Sequence, residues 1–272
     1  ALITGYTQQG QGYEALNNFE QMQSEGLSPD SVTFISILKA CGSTGAIEIG
    51  ENIHDIIVRM RLLENDIVLG TALVDMYGKC GILAKAKMVL EELPERNTIS
   101  WNALLAGYSQ HGQGYEALDC FTIMQNEGVC PNAVTFLCVL SACNHSGLLA
   151  EAQMLFENMR KKYGISPNIE HHTSMIMAYG SSGHFDMAIS VIEAMPSSDY
   201  LTVWLALMGS CEKWGNVKLA CLAFHQAIQL DSNCATTYAL MASIFADANM
   251  QEDAEMIEAM RLRLVESGED II

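Results

Sequence analysis

The sequence predicts an all-α chain, an α-α superhelix in which helical hairpins stack as a solenoid. Three observations predict it. Seven glycines recur in one local setting, at Gly10, Gly45, Gly81, Gly112, Gly147, Gly183 and Gly215, with spacings of 35, 36, 31, 35, 36 and 32 residues. Apolar residues flank each glycine at helical spacing, and no segment shows the alternation of a half-buried strand. A longer period of 102 residues relates Gly10 to Gly112, Gly45 to Gly147 and Gly81 to Gly183, so three unit types alternate. Self-similarity at about 30 to 40 residues marks stacked units that bury one continuous core, with function on the surface the array presents.

The units follow in order. Residues 1–30 form a truncated first hairpin, with Ala1-Leu2-Ile3-Thr4-Gly5-Tyr6 before Gly10 and Gly12-Tyr13-Glu14-Ala15-Leu16 after it; Gly26, Pro29 and Asp30 end it. Residues 31–66 carry Val32-Thr33-Phe34 and Leu38-Lys39-Ala40-Cys41 before Gly45. The shorter unit 67–97 centres on Met76-Tyr77-Gly78 and Gly81. In 98–132, Trp101, Leu104, Leu105 and Tyr108 make one apolar stripe and Ala117, Leu118, Phe121 and Met124 a second. Gly128 stops that second helix, Pro131 cannot continue it, and Asn132 is a cap for the next. Units 133–168 and 169–200 repeat the second and third types, with Val134-Thr135-Phe136, Leu140-Ser141-Ala142-Cys143 and Ala178-Tyr179-Gly180. Two more hairpins are expected at 201–233 and 234–266, before a tail at 267–272.

With 32 acidic against 14 basic residues the net charge is −18, which opposes a polyanionic partner, because affinity for nucleic acid comes largely from neutralising phosphates. Either acids such as Glu14, Glu91, Glu92 and Glu157 lie on the second helices, or RNA binding by this chain is weak. No apolar run reaches 18 residues, so no membrane span is expected. Ala1 falls inside the expected first helix, which implies that the natural chain begins earlier and that any targeting peptide lies upstream. The nine cysteines fall in apolar stripes and read as buried thiols. No C-x-x-C occurs, and no ligand set has workable spacing, so no metal and no cofactor are expected.

The wording of these units resembles the pentatricopeptide repeat family. Trp101-Asn102-Ala103-Leu104 opens a standard unit, Leu38-Lys39-Ala40-Cys41 lies in a long one, and Val74-Asp75-Met76-Tyr77-Gly78-Lys79-Cys80-Gly81 in a short one. The 35, 36, 31 alternation resembles the plant subclass that cycles these three motifs. Val203-Trp204 through Asp231 and Tyr238 through Met260 look like the two TPR-like extension motifs found behind such arrays.

The resemblance implies a non-catalytic, sequence-specific adaptor for single-stranded RNA in a mitochondrion or chloroplast, acting in cytidine-to-uridine editing or other processing. It assigns base choice to the fifth and last residues of a unit: Thr71 with Asn97, suggesting adenine, and Asn102 with Asn132, suggesting a pyrimidine. Thr173 is the fifth residue of the next short unit, whose end, Ser198-Asp199-Tyr200, puts Tyr200 where Asp or Asn is wanted. The second residues, Val32, Val68, Ile99 and Val134, would sit between successive bases, and Lys79 would face phosphates. The plainer alternatives are that Asn97 and Asn132 are caps and that Val68 and Ile99 are core. Ile35 and Leu137 at fifth positions offer no hydrogen bond, so the long units read as spacers.

Relatives of this type often continue into a zinc deaminase, which needs H-x-E and C-x-x-C. Neither motif is present in this sequence. His171-His172 reads as a contact at the end of a repeat. A deaminase or editing-factor protein would then be met through 201–266. The rival reading is a protein-interaction scaffold, whose acidic surface suits a basic partner.

Overall fold

The computed structural model describes residues 2–195, 197 and 200–269. Among these there are sixteen α-helices, one 3-10 turn and no strand. The chain forms two compact units, Ala1–Ser146 and Gly147–Ile272.

In the first unit the helices pair as α1 Leu2–Gln8 with α2 Gly12–Ser24, α3 Ser31–Thr44 with α4 Ile47–Arg59, α5 Ile67–Lys79 with α6 Leu83–Glu92, and α7 Thr98–Gln110 with α8 Gly114–Asn126. Helix α9, Ala133–His145, completes it. The first helices α1, α3, α5, α7 and α9 touch one another in sequence, and each of the four paired ones also packs on its own second helix. A helix covered on several sides must be apolar nearly all round. Hence Leu69, Leu73, Val74, Met76 and Tyr77 on α5, and Trp101, Leu104, Leu105 and Tyr108 on α7, are all buried.

The recurring glycine follows from backbone geometry. All seven turn glycines have left-handed φ, from 63° to 78°. In the best-formed turns the residue after the glycine donates its N–H to a carbonyl five residues back, as Ile82 does to Tyr77 at 2.9 Å and Gln113 to Tyr108 at 2.9 Å. This is the glycine-ended helix stop, which satisfies carbonyls the helix leaves open. An eighth turn of the same form lacks glycine: Asn249 takes φ 60°, and Met250 donates to Phe245 at 2.9 Å.

Second helices end the same way at Gly26, Gly128 and Gly164, but after α4 the left-handed residue is Arg61, φ 55°. That conformation costs an ordinary side chain roughly 1–2 kcal/mol, against about 0.5–1 kcal/mol of extra unfolded-state freedom for glycine. Arg61→Gly is therefore expected to stabilise the first unit by about 0.5–1 kcal/mol in urea unfolding; a loss of stability would contradict it. The Arg61–Glu64 pair it removes is highly exposed at 3.9 Å and contributes little.

Two contacts set how closely first helices stack. Gly78 on α5 faces Gly107 on α7, where an added Cβ at Gly107 would lie 2.9 Å from the Gly78 Cα. At their C-terminal ends α5, α7 and α9 each satisfy the first helix before them, whereas at the first joint Thr7 of α1 donates forward to the Ser36 carbonyl of α3 at 3.2 Å. His111 Nε2 donates to the Gly78 carbonyl at 3.0 Å, His145 Nδ1 to the Ser109 carbonyl at 2.9 Å, and the Cys80 thiol to the Cys41 carbonyl at 3.8 Å.

The second unit holds α10 Leu149–Lys161, α11 Ile169–Ser181, α12 Phe185–Glu193, α13 Leu201–Trp214, α14 Val217–Leu230, α15 Ala235–Asp247 and α16 Gln251–Glu269. Here α11, α13 and α15 stack in sequence. Lys213 Nζ and Trp214 Nε1 donate to the Ser181 carbonyl at 2.9 and 3.3 Å.

The cysteines divide. Cys41, Cys120, Cys143 and Cys211 are buried, Cys80, Cys138 and Cys234 are half-buried, and Cys130, in the loop before Pro131, and Cys221 are exposed, so the expectation of buried thiols holds for four and fails outright at those last two. Among the described residues no three His, Cys, Asp or Glu side chains are placed to hold a metal ion, and no helix is long and apolar enough to cross a membrane.

Candidate nucleic-acid interface

The last residue of each unit is the N-cap of the next first helix. Asn97 Oδ1 accepts from the Ile99 and Ser100 amides at 2.9 and 3.0 Å, and Asn132 Oδ1 from the Thr135 amide at 3.0 Å. Asp30, Asp66 and Asn168 cap α3, α5 and α11 in the same manner. Each cap satisfies amides the helix leaves open, so its side-chain oxygen is held at one edge of the first-helix layer.

Two residues into each helix stands a β-branched side chain that faces solvent. Val32 is 58% exposed, Val68 60%, Ile99 68% and Val134 53%. The reading of Val68 and Ile99 as core therefore fails. Four large apolar residues exposed at one helical position in four consecutive first helices form a row, which a chain stabilised by burial alone would not keep.

Three residues further on lie the fifth positions. Val68, Thr71, Ile99 and Asn102 share one open groove with Ile35, Lys39 and Asp75. Thr71 is half-buried and its hydroxyl donates to the Ile67 carbonyl at 2.8 Å; Thr173, in the second unit, donates likewise to Ile169 at 2.9 Å. Each hydroxyl proton is spent on its own helix, and the oxygen is left as an acceptor.

Asn102 is different: only 8% exposed, it is knotted to its partner. Its Nδ2 donates to Asn132 Oδ1 at 3.2 Å, and its Oδ1 accepts from the buried Thr135 hydroxyl at 2.6 Å. The amide orientation is thereby set, with the carbonyl occupied and one Nδ2 hydrogen uncommitted. The sequence reading passed over Thr135, whose contact to Asn102 spans 33 residues and has no local signature.

Charge is segregated by layer. The helices α1, α3, α5, α7 and α9 carry one acid, Asp75, with Lys39 and Lys79. The helices α2, α4, α6 and α8 carry nine acids with Arg59, Lys85 and Lys87. Within this unit the acidity thus lies off the groove face. Lys79 is held by Asp75 at 2.7 Å, while among the described residues Lys39 has no ion-pair partner.

In the second unit His171 is buried, with its ring against Asn168 Oδ1, and the His172 ring donates to the Asn168 carbonyl at 2.8 Å while meeting Phe156 edge-on at 5.4 Å. Both histidines serve the start of α11. Of Ser198-Asp199-Tyr200, the first two lie outside the described residues; Tyr200 is the residue before α13 and is 46% exposed.

Comparison with known proteins places this geometry. Two family models match: the PPR repeat family over residues 1–43 and 96–145, and the PPR repeat over 71–98, 134–163 and 170–200. Among curated Arabidopsis thaliana proteins, the pentatricopeptide repeat-containing protein CRR2, chloroplastic, is 38% identical over 262 residues, covering 96% of this chain and 40% of its own length. A second, the mitochondrial At1g77170, is 34% identical over 261 residues, covering 96% and 56%. The chain thus spans roughly half the length, or less, of such relatives. Among solved structures, the maize pentatricopeptide repeat protein PPR10 in complex with an 18-nt psaJ RNA element superposes with a TM-score of 0.77 at 16% identity, over 97% of this chain and 40% of that one. That likeness is one of fold.

Proposed function

This chain belongs to the pentatricopeptide repeat family, and from that premise we propose that it lays single-stranded RNA along its first-helix face and reads bases with Thr71, Asn97, Asn102, Asn132 and Thr173. The observation that carries the reading is the row of exposed Val32, Val68, Ile99 and Val134 beside the polar fifth residues. In repeat-type readers one unit takes one base, and apolar side chains between units cover the base faces.

The hydrogen-bond inventory gives each site its chemistry. Thr71, an acceptor, suits a base with an exocyclic amine on its Watson–Crick edge, as adenine has. Asn102 has a spare Nδ2 hydrogen and a filled carbonyl, which suits the carbonyl edge of a pyrimidine. RNA carrying A followed by C or U in matching register is expected to bind more tightly than RNA with those bases exchanged. Fluorescence anisotropy at two salt concentrations tests this, and equal affinities would refute base reading.

Phosphates would meet Lys79 and Lys39. Because Asp75 holds Lys79, Asp75→Asn is expected to tighten binding of every sequence alike and steepen its salt dependence, and Lys79→Ala to do the reverse. An effect confined to one sequence would place these residues at a base instead.

We read residues 1–200 as the repeat array, with a truncated unit 1–30 and units 31–66, 67–97, 98–132, 133–168 and 169–200, followed by extension motifs at 201–233 and 234–266. We assign the protein to organellar transcripts, as an adaptor without catalysis of its own in cytidine-to-uridine editing or related processing. The chloroplastic and mitochondrial names of its relatives support the organellar part of this assignment, and the editing role rests on the family resemblance. The segment 201–266, with exposed Trp214, Leu222 and Met256, is offered to a deaminase or editing-factor protein.

A further inference from the structure

A pocket of about 130 Å³ lies in the first unit among α6, α7 and α8, apart from the groove. Its floor is apolar, made of Leu90, Trp101, Leu104 and Cys120, all buried, with Tyr108 and Ile123 beside them. Its rim is charged. Arg96 is paired with Glu127 at 2.8 Å and Lys87 lies 3.9 Å from Glu91, whereas Glu116 and Asp119 have no cationic partner among the described residues.

Trp101 is 4% exposed, and its Nε1–H has no hydrogen-bond acceptor among the described residues. A buried donor without an acceptor costs about 1–3 kcal/mol. The Tyr108 hydroxyl is pushed up to about 12, chiefly by burial, with smaller contributions from neighbours that include Glu116 and Glu91.

The repeat supplies an internal comparison. Residues of α8 match those of α2, 102 positions earlier, at Glu14/Glu116, Ala15/Ala117, Leu16/Leu118, Phe19/Phe121 and Met22/Met124. They depart where the pocket is lined: Asn17, Asn18 and Gln21 become Asp119, Cys120 and Ile123. Three polar amides have been exchanged for one carboxylate and two apolar groups, so this unit has gained an acidic, greasy cavity its twin sequence does not encode.

We propose that this pocket binds a basic segment of a protein partner. An arginine or lysine side chain lays its stem on Leu104 and Trp101 with its charged head between Glu116 and Asp119. Long basic side chains combine an apolar stem with a charged head, which matches the floor and the rim. RNA fits poorly, since four acids face two already paired bases. The assignment does not depend on the groove reading bases.

The test uses the capped peptides acetyl-Gly-Arg-Leu-amide and acetyl-Gly-Glu-Leu-amide, titrated into the 15N-labelled chain. The three tryptophans give three indole N–H signals, and Trp101→Phe identifies the one concerned. The arginine peptide is expected to move the Trp101 signal and the glutamate peptide to leave it in place. Glu116→Gln with Asp119→Asn, both on the rim, is expected to weaken the arginine peptide about tenfold, as for the loss of charge pairing, with helical content unchanged by circular dichroism. A Trp101 signal that ignores both peptides, responds equally to both, or responds undiminished in the double variant would overturn the proposal.

Discussion

Gly107→Val is expected to destabilise the first unit by about 3 kcal/mol, whereas Gly209→Ala, one 102-residue period later, is expected to stabilise by about 1 kcal/mol. Both glycines sit inside first helices, where intrinsic propensity favours alanine over glycine by about 1 kcal/mol. Sterics decide the sign. A Cβ at Gly107 would come within 2.9 Å of the Gly78 Cα and 3.0 Å of Leu83 Cδ2, and backbone has no rotamer with which to yield. Overpacking of this kind costs about 1–3 kcal/mol, and the two methyl groups of valine add to it. At Gly209 nothing lies within 4 Å of the added carbon. Urea unfolding of each variant measures the difference; the same sign at both positions would show that the α5–α7 contact does not limit stacking.

Asn102→Ala is expected to remove about 1–3 kcal/mol of discrimination at one nucleotide, measured as the ratio of affinities for matched and exchanged RNA. Thr135→Val, nearly the same in shape, should have a similar effect without touching RNA. Without the 2.6 Å bond from the Thr135 hydroxyl the Asn102 carbonyl loses its donor, and the amide is free to turn over and offer the wrong edge. Thr135→Ser keeps the hydroxyl and should keep the discrimination. If Asn102→Ala and Thr135→Val both leave the ratio unchanged, the knotted pair is a cap and nothing more.

The turns were legible in the sequence because a left-handed residue leaves a compositional trace, and seven of them are glycine. The eighth was missed because asparagine tolerates the same backbone and carries no such mark at Asn249. Which helical positions to compare is likewise legible, since the family resemblance names the second and fifth residues and the period carries them from unit to unit. Their surroundings are not. Exposed valines read as core when local pattern is the only guide, and Val68 and Ile99 show how tertiary context overrides it. The Asn102–Thr135 contact depends on how two helices meet, information absent from the spacing of residues, whereas Asp75 and Lys79 stand four apart on one helix, a pairing that spacing alone allows.

The hydrogen bonds from His111 to Gly78 and from His145 to Ser109 all run one way, from a later unit to an earlier one. Over these joints the stack is polarised: α5 and α7 are each finished by the first helix that follows. A chain cut after Gln110 strips the helix α5 of its His111 contact, although α5 itself is untouched. For anyone splicing such arrays the donor must travel with its acceptor, since the residues one 102-residue period away, Ser43 and Lys213, donate elsewhere, to the Ala40 and Ser181 carbonyls. Exchanging single units places a foreign residue where His111 or His145 stood, and the damage appears one repeat upstream of the splice.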